Sequence, residues 1–182
     1  MSRLATPASI AAAPVAAQSS LEAVEKQLGV APNLFRVVAN SPAALQGYLG
    51  LHGALGHGEL DAATRERIAL TVAEINGCDY CLSAHTYLGK NVAKLSEAEL
   101  ERNRDATSDD AKAAAALRFA AAVTRQRGHV ADEEVLAVKR AGYSDAQIVE
   151  IIVHVALNTL TNYVNEVAQT AIDFPRVTQR AR

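Results

Sequence analysis

Apolar residues recur along this chain at helical rather than strand spacing, with start and stop signals between them. The clearest stripe is the last one. Ile148, Ile151, Ile152, Val155, Leu160, Val164 and Val167 follow Ser144 and predict a long helix over 144–172, kinked near Asn158. Upstream, Ser20 caps a helix over 21–28 that Gly29 closes, Asn33 starts a short one over 33–38, and Ser41-Pro42 opens one over 42–55. Asp61 caps 62–76, and Gly77 supplies a left-handed stop. A helix containing Cys78 follows at once. Ser96 and Glu99 then form a capping box for a short charged helix, and 102–110 reads as a polar loop. An alanine-rich helix begins at Ser108 or Asp109 and runs to Arg127, and another covers 132–141, ended by Gly142. There is no period-two strand pattern and no internal repeat, so the expected fold is all-α.

Composition narrows this further. A chain of 182 residues suits one packed domain, expected over 19–175, with 1–18 as a mobile or partner-draped arm and 176–182 as a frayed tail. Hydrophobic residues make up 49%, much of it alanine, while aromatics make up 4%, which favours closely packed helices. The net charge is -2 with dispersed basic residues, which argues against a nucleic-acid partner. No apolar run approaches the roughly 20 residues of a membrane span, so a soluble protein without a membrane partner is expected. Residues 1–20 are signal-like in their Ala, Ser and Pro, yet only Arg3 charges their start and Pro7 and Pro14 interrupt them. A cytoplasmic location is the preferred reading. In a reducing compartment, a close cysteine pair is more often redox-active or metal-binding than a structural staple.

The chemistry centres on Cys78-Asp79-Tyr80-Cys81, which holds both cysteines of the chain. If a helix begins there, Cys78, Cys81 and His85 share one face at i, i+3 and i+7. A helix N-terminus stabilises a thiolate, the nucleophilic form of a group whose ordinary pKa is about 8.5. A second cysteine in reach lets an oxidised first one resolve to a disulfide, and His85 could accept the Cys81 proton directly or through water. The alternative is a metal site completed by His85 with Glu66 or another histidine; a second cysteine pair is lacking. Taken alone, Glu66 between Arg65 and Arg67 reads as a solvated charge, although it shares a face with Ala69, Leu70 and Ala73. His154 reads as a hydrogen-bonded core residue, His52 and His57 flank a glycine-rich turn that could line a pocket, and His129 sits in an exposed turn. Asn158, Asn162 and Asn165 read as satisfying buried backbone or neighbouring helices.

Glu66, eleven intervening residues and Cys78-x-x-Cys81-x-x-x-His85, within ERIALTVAEINGCDYCLSAHTYLGK, resemble the core motif of the alkyl hydroperoxidase D-like (AhpD-like) proteins of the carboxymuconolactone decarboxylase superfamily. The segment ALNTLTNYVNEVAQTAIDFP is similar to the closing helix of its peroxidase-related branch. The resemblance implies an AhpD-like helical bundle that forms a homo-oligomer. It also implies a thiol-dependent alkyl hydroperoxide reductase that uses no metal or cofactor. Cys81 would be the attacking thiolate, Cys78 its disulfide partner, and His85 and Glu66 a proton relay. The substrate would be a hydroperoxide, and an external thiol or dithiol, such as a thioredoxin-like or lipoyl-bearing protein, would restore the pair. The best-characterised members carry histidine before the second cysteine. Tyr80 stands there in this chain, a weaker proton shuttle that remains able to donate a hydrogen bond to a thiolate or peroxide oxygen. Other readings are a disulfide reductase or redox adaptor for a partner protein and a non-enzymatic, oligomeric redox-sensing module. Lactone decarboxylation gives the dithiol no evident purpose.

Overall fold

The computed structural model describes residues 2–180. Among them every helix or strand assigned is helical: a 3₁₀ turn at Ile10–Ala12, then α1 (Val15–Leu28), α2 (Asn33–Val38), α3 (Pro42–Gly56), α4 (Ala62–Asn76), α5 (Asp79–Asn91), α6 (Glu97–Arg104), α7 (Ala111–Gln126), α8 (Asp132–Arg140) and α9 (Asp145–Ala168). The all-α expectation holds. Side chains of Ser41, Asp61, Ser96, Asp110 and Ser144 accept from backbone N–H groups in the first turns of the helices they start.

Helix α4 is the hub, packing against α5, α6, α7 and α9. Its sequence explains why: Ile68 through Ala73 are all buried, so this helix is covered on every side. Leu70 and Ala73 join a core with Leu21, Leu45 and Leu82, while Ile68 and Val72 join a second core with Leu117, Phe119 and Ile151. The buried alanines of α7, Ala113 to Ala116, Ala120 and Ala121, let that helix lie close to its neighbours. The hub thereby fixes Glu66 relative to α5 and α9.

Several segments differ from the sequence expectation. Helix α1 starts at residue 15 rather than 21, because Ala17 lies on one buried stripe with Leu21 and Val24. The chain before it lies along its own body: the Ser2 hydroxyl and Arg3 N–H donate to the Ala168 carbonyl at 2.9 and 2.6 Å, and Asn40 Nδ2 donates to the Ala5 carbonyl at 2.7 Å. Helix α9 is one continuous element that ends four residues before the expected 172, where Gln169 turns left-handed at φ 48°.

The polar stretch expected as a loop over 102–110 carries the end of α6, because its charges are paired rather than solvated. Arg104 Nε donates to Glu74 at 2.7 Å, and Arg104 Nη2 donates to the Thr178 carbonyl at 2.8 Å. The tail expected to fray is likewise tied down through residue 180. Val177 N–H donates to Ser83 Oγ at 2.9 Å, Gln179 N–H to Asp79 Oδ1 at 2.9 Å, and Arg180 pairs with Glu101 and Asp105. Residues 1, 181 and 182 of the expected arm and tail lie outside the described residues. Among the described residues no helix is long and apolar enough to cross a membrane.

Candidate active site

Gly77, at φ 72°, ends α4 and reverses the chain. Cys78 is then the N-cap of α5, its sulfur accepting the Cys81 N–H at 3.4 Å. The reversal lays α5 back along α4, and Glu66 meets His85 with Oε2 2.8 Å from Nδ1. One turn past His85, Gly89 keeps the contact tight: a Cβ there would stand 2.6 Å from Leu100 Cδ2 and 3.9 Å from the Glu66 Cβ. Local chain reversal and a missing side chain thus assemble the pair that the motif spacing predicts.

Both sulfurs are buried, and the Cys78 thiol donates to Cys81 Sγ at 2.6 Å. From α9, Asn165 Nδ2 donates to the same Cys81 sulfur at 3.3 Å. Burial alone would push the Cys81 thiol up. Against it act the Cys78 hydrogen bond, the Asn165 hydrogen bond, the charge of His85 and the Asn162 amide, which together bring it down to about 7. The hydrogen bond to Cys81, then burial, holds the Cys78 thiol far above its ordinary value. One sulfur is therefore poised to ionise near neutral pH and the other to stay protonated. Burial works against the His85 imidazolium, yet the charge and hydrogen bond of Glu66, with the Cys81 charge, raise its pKa. No direct hydrogen bond joins His85 to Cys81 among the described residues, so their coupling is through charge.

The remaining candidates sort themselves by position. The Tyr80 hydroxyl is committed away from the thiols: it accepts the Leu34 N–H at 3.0 Å and donates to Asp173 Oδ1 at 2.8 Å, while its ring meets Phe174 edge-on. Tyr80 ties α5 to α2 and to the segment after α9. Helix α3 brings Tyr48 and His52 near the site, their rings 5.8 Å apart. Burial and then the Cys81 charge raise the Tyr48 hydroxyl, whereas burial and then the His85 charge lower His52. His154 is buried on α9, and burial followed by the Arg65 charge brings it down to about 4; its Nε2 has no hydrogen-bond partner. His129 is exposed and His57 follows the end of α3, neither at the thiols. Among the described residues no group of three or more His, Cys, Asp and Glu side chains is arranged to hold a metal ion.

Asn165 is the residue at the sulfurs that motif reading passes over. The available signal was its place with Asn158 and Asn162 on one stripe of an apolar helix, and all three are buried. Amides on such a face require partners, and here one partner is a reactive sulfur.

An all-α frame that buries a dithiol at a helix start, beside a glutamate–histidine pair, defines a helical dithiol protein. A carboxymuconolactone decarboxylase family model matches residues 42–122, which include Glu66, Cys78, Cys81 and His85 but not Asn162 or Asn165. Among solved structures, the chain is similar to the AhpD core of an uncharacterised peroxidase-related protein from Ralstonia eutropha JMP134, at 24% identity and TM-score 0.84, covering 94% of this chain and 92% of that one. A peroxidase-related protein from Silicibacter sp. TM1040 matches at 24% identity and TM-score 0.81, over 93% and 91% of the two chains. The debrominase Bmp8 without ligand matches at 23% identity and TM-score 0.78, over 92% and 91%. None of the curated proteins matches the sequence. Residues 42–122 are thus similar to the carboxymuconolactone decarboxylase family, and the chain as a whole shares the AhpD-like helical fold of these structures.

Proposed function

We propose that the protein is a thiol-dependent hydroperoxide reductase. The observation that carries this reading is the asymmetry of the sulfurs: Cys81 is held toward the thiolate, by Cys78 and Asn165 hydrogen bonds and the His85 charge, while Cys78 keeps its proton. Only the thiolate attacks effectively. Its sulfur displaces the leaving oxygen of a hydroperoxide, forming an S–O bond as the O–O bond breaks. Sulfur is oxidised to sulfenic acid and the peroxide is reduced to an alkoxide, or to hydroxide from hydrogen peroxide. The His85 imidazolium, held protonated by Glu66, gives that anion its proton.

Cys78 then attacks the Cys81 sulfenic acid, forming the disulfide and releasing water that carries the Cys78 proton and the sulfenic oxygen. An external thiol or dithiol, a thioredoxin-like or lipoyl-bearing protein, reduces the disulfide and closes the cycle. No cofactor is needed by this scheme, and it fits a cytoplasmic, reducing location. The exposed apolar side chains of α9, Val149, Ile152, Leu160, Tyr163 and Val167, support assembly as a homo-oligomer.

Thiol counting after one equivalent of hydroperoxide tests the reading. The expected result is loss of both thiols as an intramolecular disulfide, abolished by Cys81→Ser in a folded chain. Turnover surviving that change would remove Cys81 as nucleophile. Disulfide exchange with a partner protein but no reaction with peroxide would favour the redox-adaptor role.

A further inference from the structure

The face of α9 turned to the core carries a polar seam of His154, Asn158, Thr161, Asn162 and Asn165. Its last two amides favour the Cys81 thiolate, and each leaves one polar atom without a hydrogen bond. Asn165 donates from Nδ2 to the sulfur at 3.3 Å, yet its Oδ1 is buried without a partner. Asn162 accepts at Oδ1 from Asn76 Nδ2 at 2.8 Å, yet its own Nδ2 is buried without a partner. Neither amide can turn over to mend this. Reversing Asn162 would set two NH₂ groups against each other, and reversing Asn165 would aim an oxygen at the thiolate.

An unmade hydrogen bond at a buried donor or acceptor costs on the order of 1–3 kcal/mol. Two of them, of opposite character and beside one reactive sulfur, make a pattern that a ligand would complete. A ligand that satisfies both offers one O–H donor and one oxygen lone pair. A hydroperoxide has that arrangement, whereas a thiol or disulfide offers no such oxygen pair. Asn165, together with Glu166, Tyr80 and Phe174, also lines a cavity of about 360 Å³ at this end of the seam.

We infer that Asn165 Oδ1 and Asn162 Nδ2 bind the hydroperoxide group in two points, Asn165 accepting from the terminal O–H and Asn162 donating to the leaving oxygen. The inference rests on the hydroperoxide-reductase reading of Cys81. As the Cys81 sulfur bonds to the terminal oxygen and the O–O pair passes to the leaving oxygen, the Asn162 N–H stabilises the developing charge. The proton that completes the alcohol, or water, comes from His85. Asn162 and Asn165 are thus assigned to the substrate as well as to the thiolate.

The experiment compares two reactions of the reduced full-length chain, each variant at a pH above the Cys81 midpoint found for it by alkylation. One is single-turnover oxidation by cumene hydroperoxide; the other is alkylation of Cys81 by iodoacetamide, which needs the thiolate but offers no peroxide group. Asn162→Ala is expected to slow oxidation by about 100-fold, the scale of losing one oxyanion donor, and to leave alkylation unchanged. Asn165→Ala is expected to slow oxidation more than alkylation. Where an alanine variant does not fold, Asn162→Ser or Asn165→Ser carries the same comparison. If both reactions fall in parallel, or neither falls, the amides act only on the sulfur or not at all, and the inference is overturned. If the unaltered chain alkylates but does not reduce peroxide, it is the hydroperoxide-reductase reading that fails.

Discussion

Glu66 Oε2 lies 2.8 Å from His85 Nδ1, and each side chain is about one-fifth exposed, at 20% and 22%. The carboxylate raises the His85 pKa, and the imidazolium in turn favours the Cys81 thiolate. A glutamate between two arginines is thereby coupled to a sulfur it does not touch. Glu66→Gln keeps the shape and removes the charge. NMR titration is expected to show a lower His85 pKa, and the Cys81 midpoint is expected to rise. Peroxide-driven thiol loss at neutral pH should slow by about 100-fold, the low end of general acid–base effects. An unmoved Cys81 midpoint would show that the relay does not act on the sulfur.

The two cysteines should fail differently. Cys81→Ser should react with no peroxide. Cys78→Ser should consume one equivalent and stop as a sulfenic acid that dimedone traps, since the resolving thiol is gone. Its Cys81 should also titrate higher, because the 2.6 Å hydrogen bond from Cys78 helps to stabilise the thiolate. Mass spectrometry of the trapped adduct decides between the roles, and an adduct on Cys78 would reverse them.

Thiol alkylation should report the lowered Cys81 pKa directly. With the thiolate favoured down to about 7, the iodoacetamide rate should level off above that pH. Below it the rate should fall about tenfold per pH unit as the sulfur protonates. A midpoint near 9 would mean that burial outweighs the hydrogen bonds and the His85 charge.

Acid stability should depend on Glu99. Burial alone would raise its pKa, but donors from Ser108, Asn103, Asp109 and Arg67 bring it down to about 2 from an ordinary 4.5. A depressed carboxyl contributes its full stabilisation above the unfolded-state value and loses it as pH falls through the folded value. The window is therefore pH 4.5 down to 2, and the loss is expected to be about 2–3 kcal/mol. Denaturant titrations across that window should show this slope in the natural chain. In Glu99→Gln they should show a shallower slope and lower stability at neutral pH.

Gly89 should resist even a methyl group. A Cβ would stand 2.6 Å from Leu100 Cδ2, and Leu100 is itself 2% exposed, so it has little room to yield. The helix-propensity gain of Gly→Ala is about 1 kcal/mol, and overpacking costs about 1–3 kcal/mol. The crowding should win, so Gly89→Ala is expected to lower Tm by a few degrees. Leu100→Val in the same chain should recover part of that loss.

Much of this molecule was legible because its determinants are local. Asp61, Ser96 and Ser144 mark helix starts by the hydrogen bonds their own side chains make within a turn. Gly77 marks the reversal because a left-handed backbone favours glycine. The spacing of Glu66, Cys78, Cys81 and His85 needs only helix geometry and one turn to bring the four together. What lay beyond reach depends on partners far along the chain. Tyr80 stands beside Cys81, where sequence suggests a donor to sulfur or peroxide, but Leu34 and Asp173 claim its hydroxyl. The polar stretch at 102–104 is folded because Arg104 finds Glu74 and Thr178. Asn165 meets Cys81 across a separation of 84 residues, a pairing that no local pattern specifies. Sequence determined the helices and the chemistry they carry, since capping and periodicity act within a few residues. Tertiary structure alone set the Asn165 amide against Cys81, because that donor comes from α9, which only the packing of the whole chain brings to the start of α5.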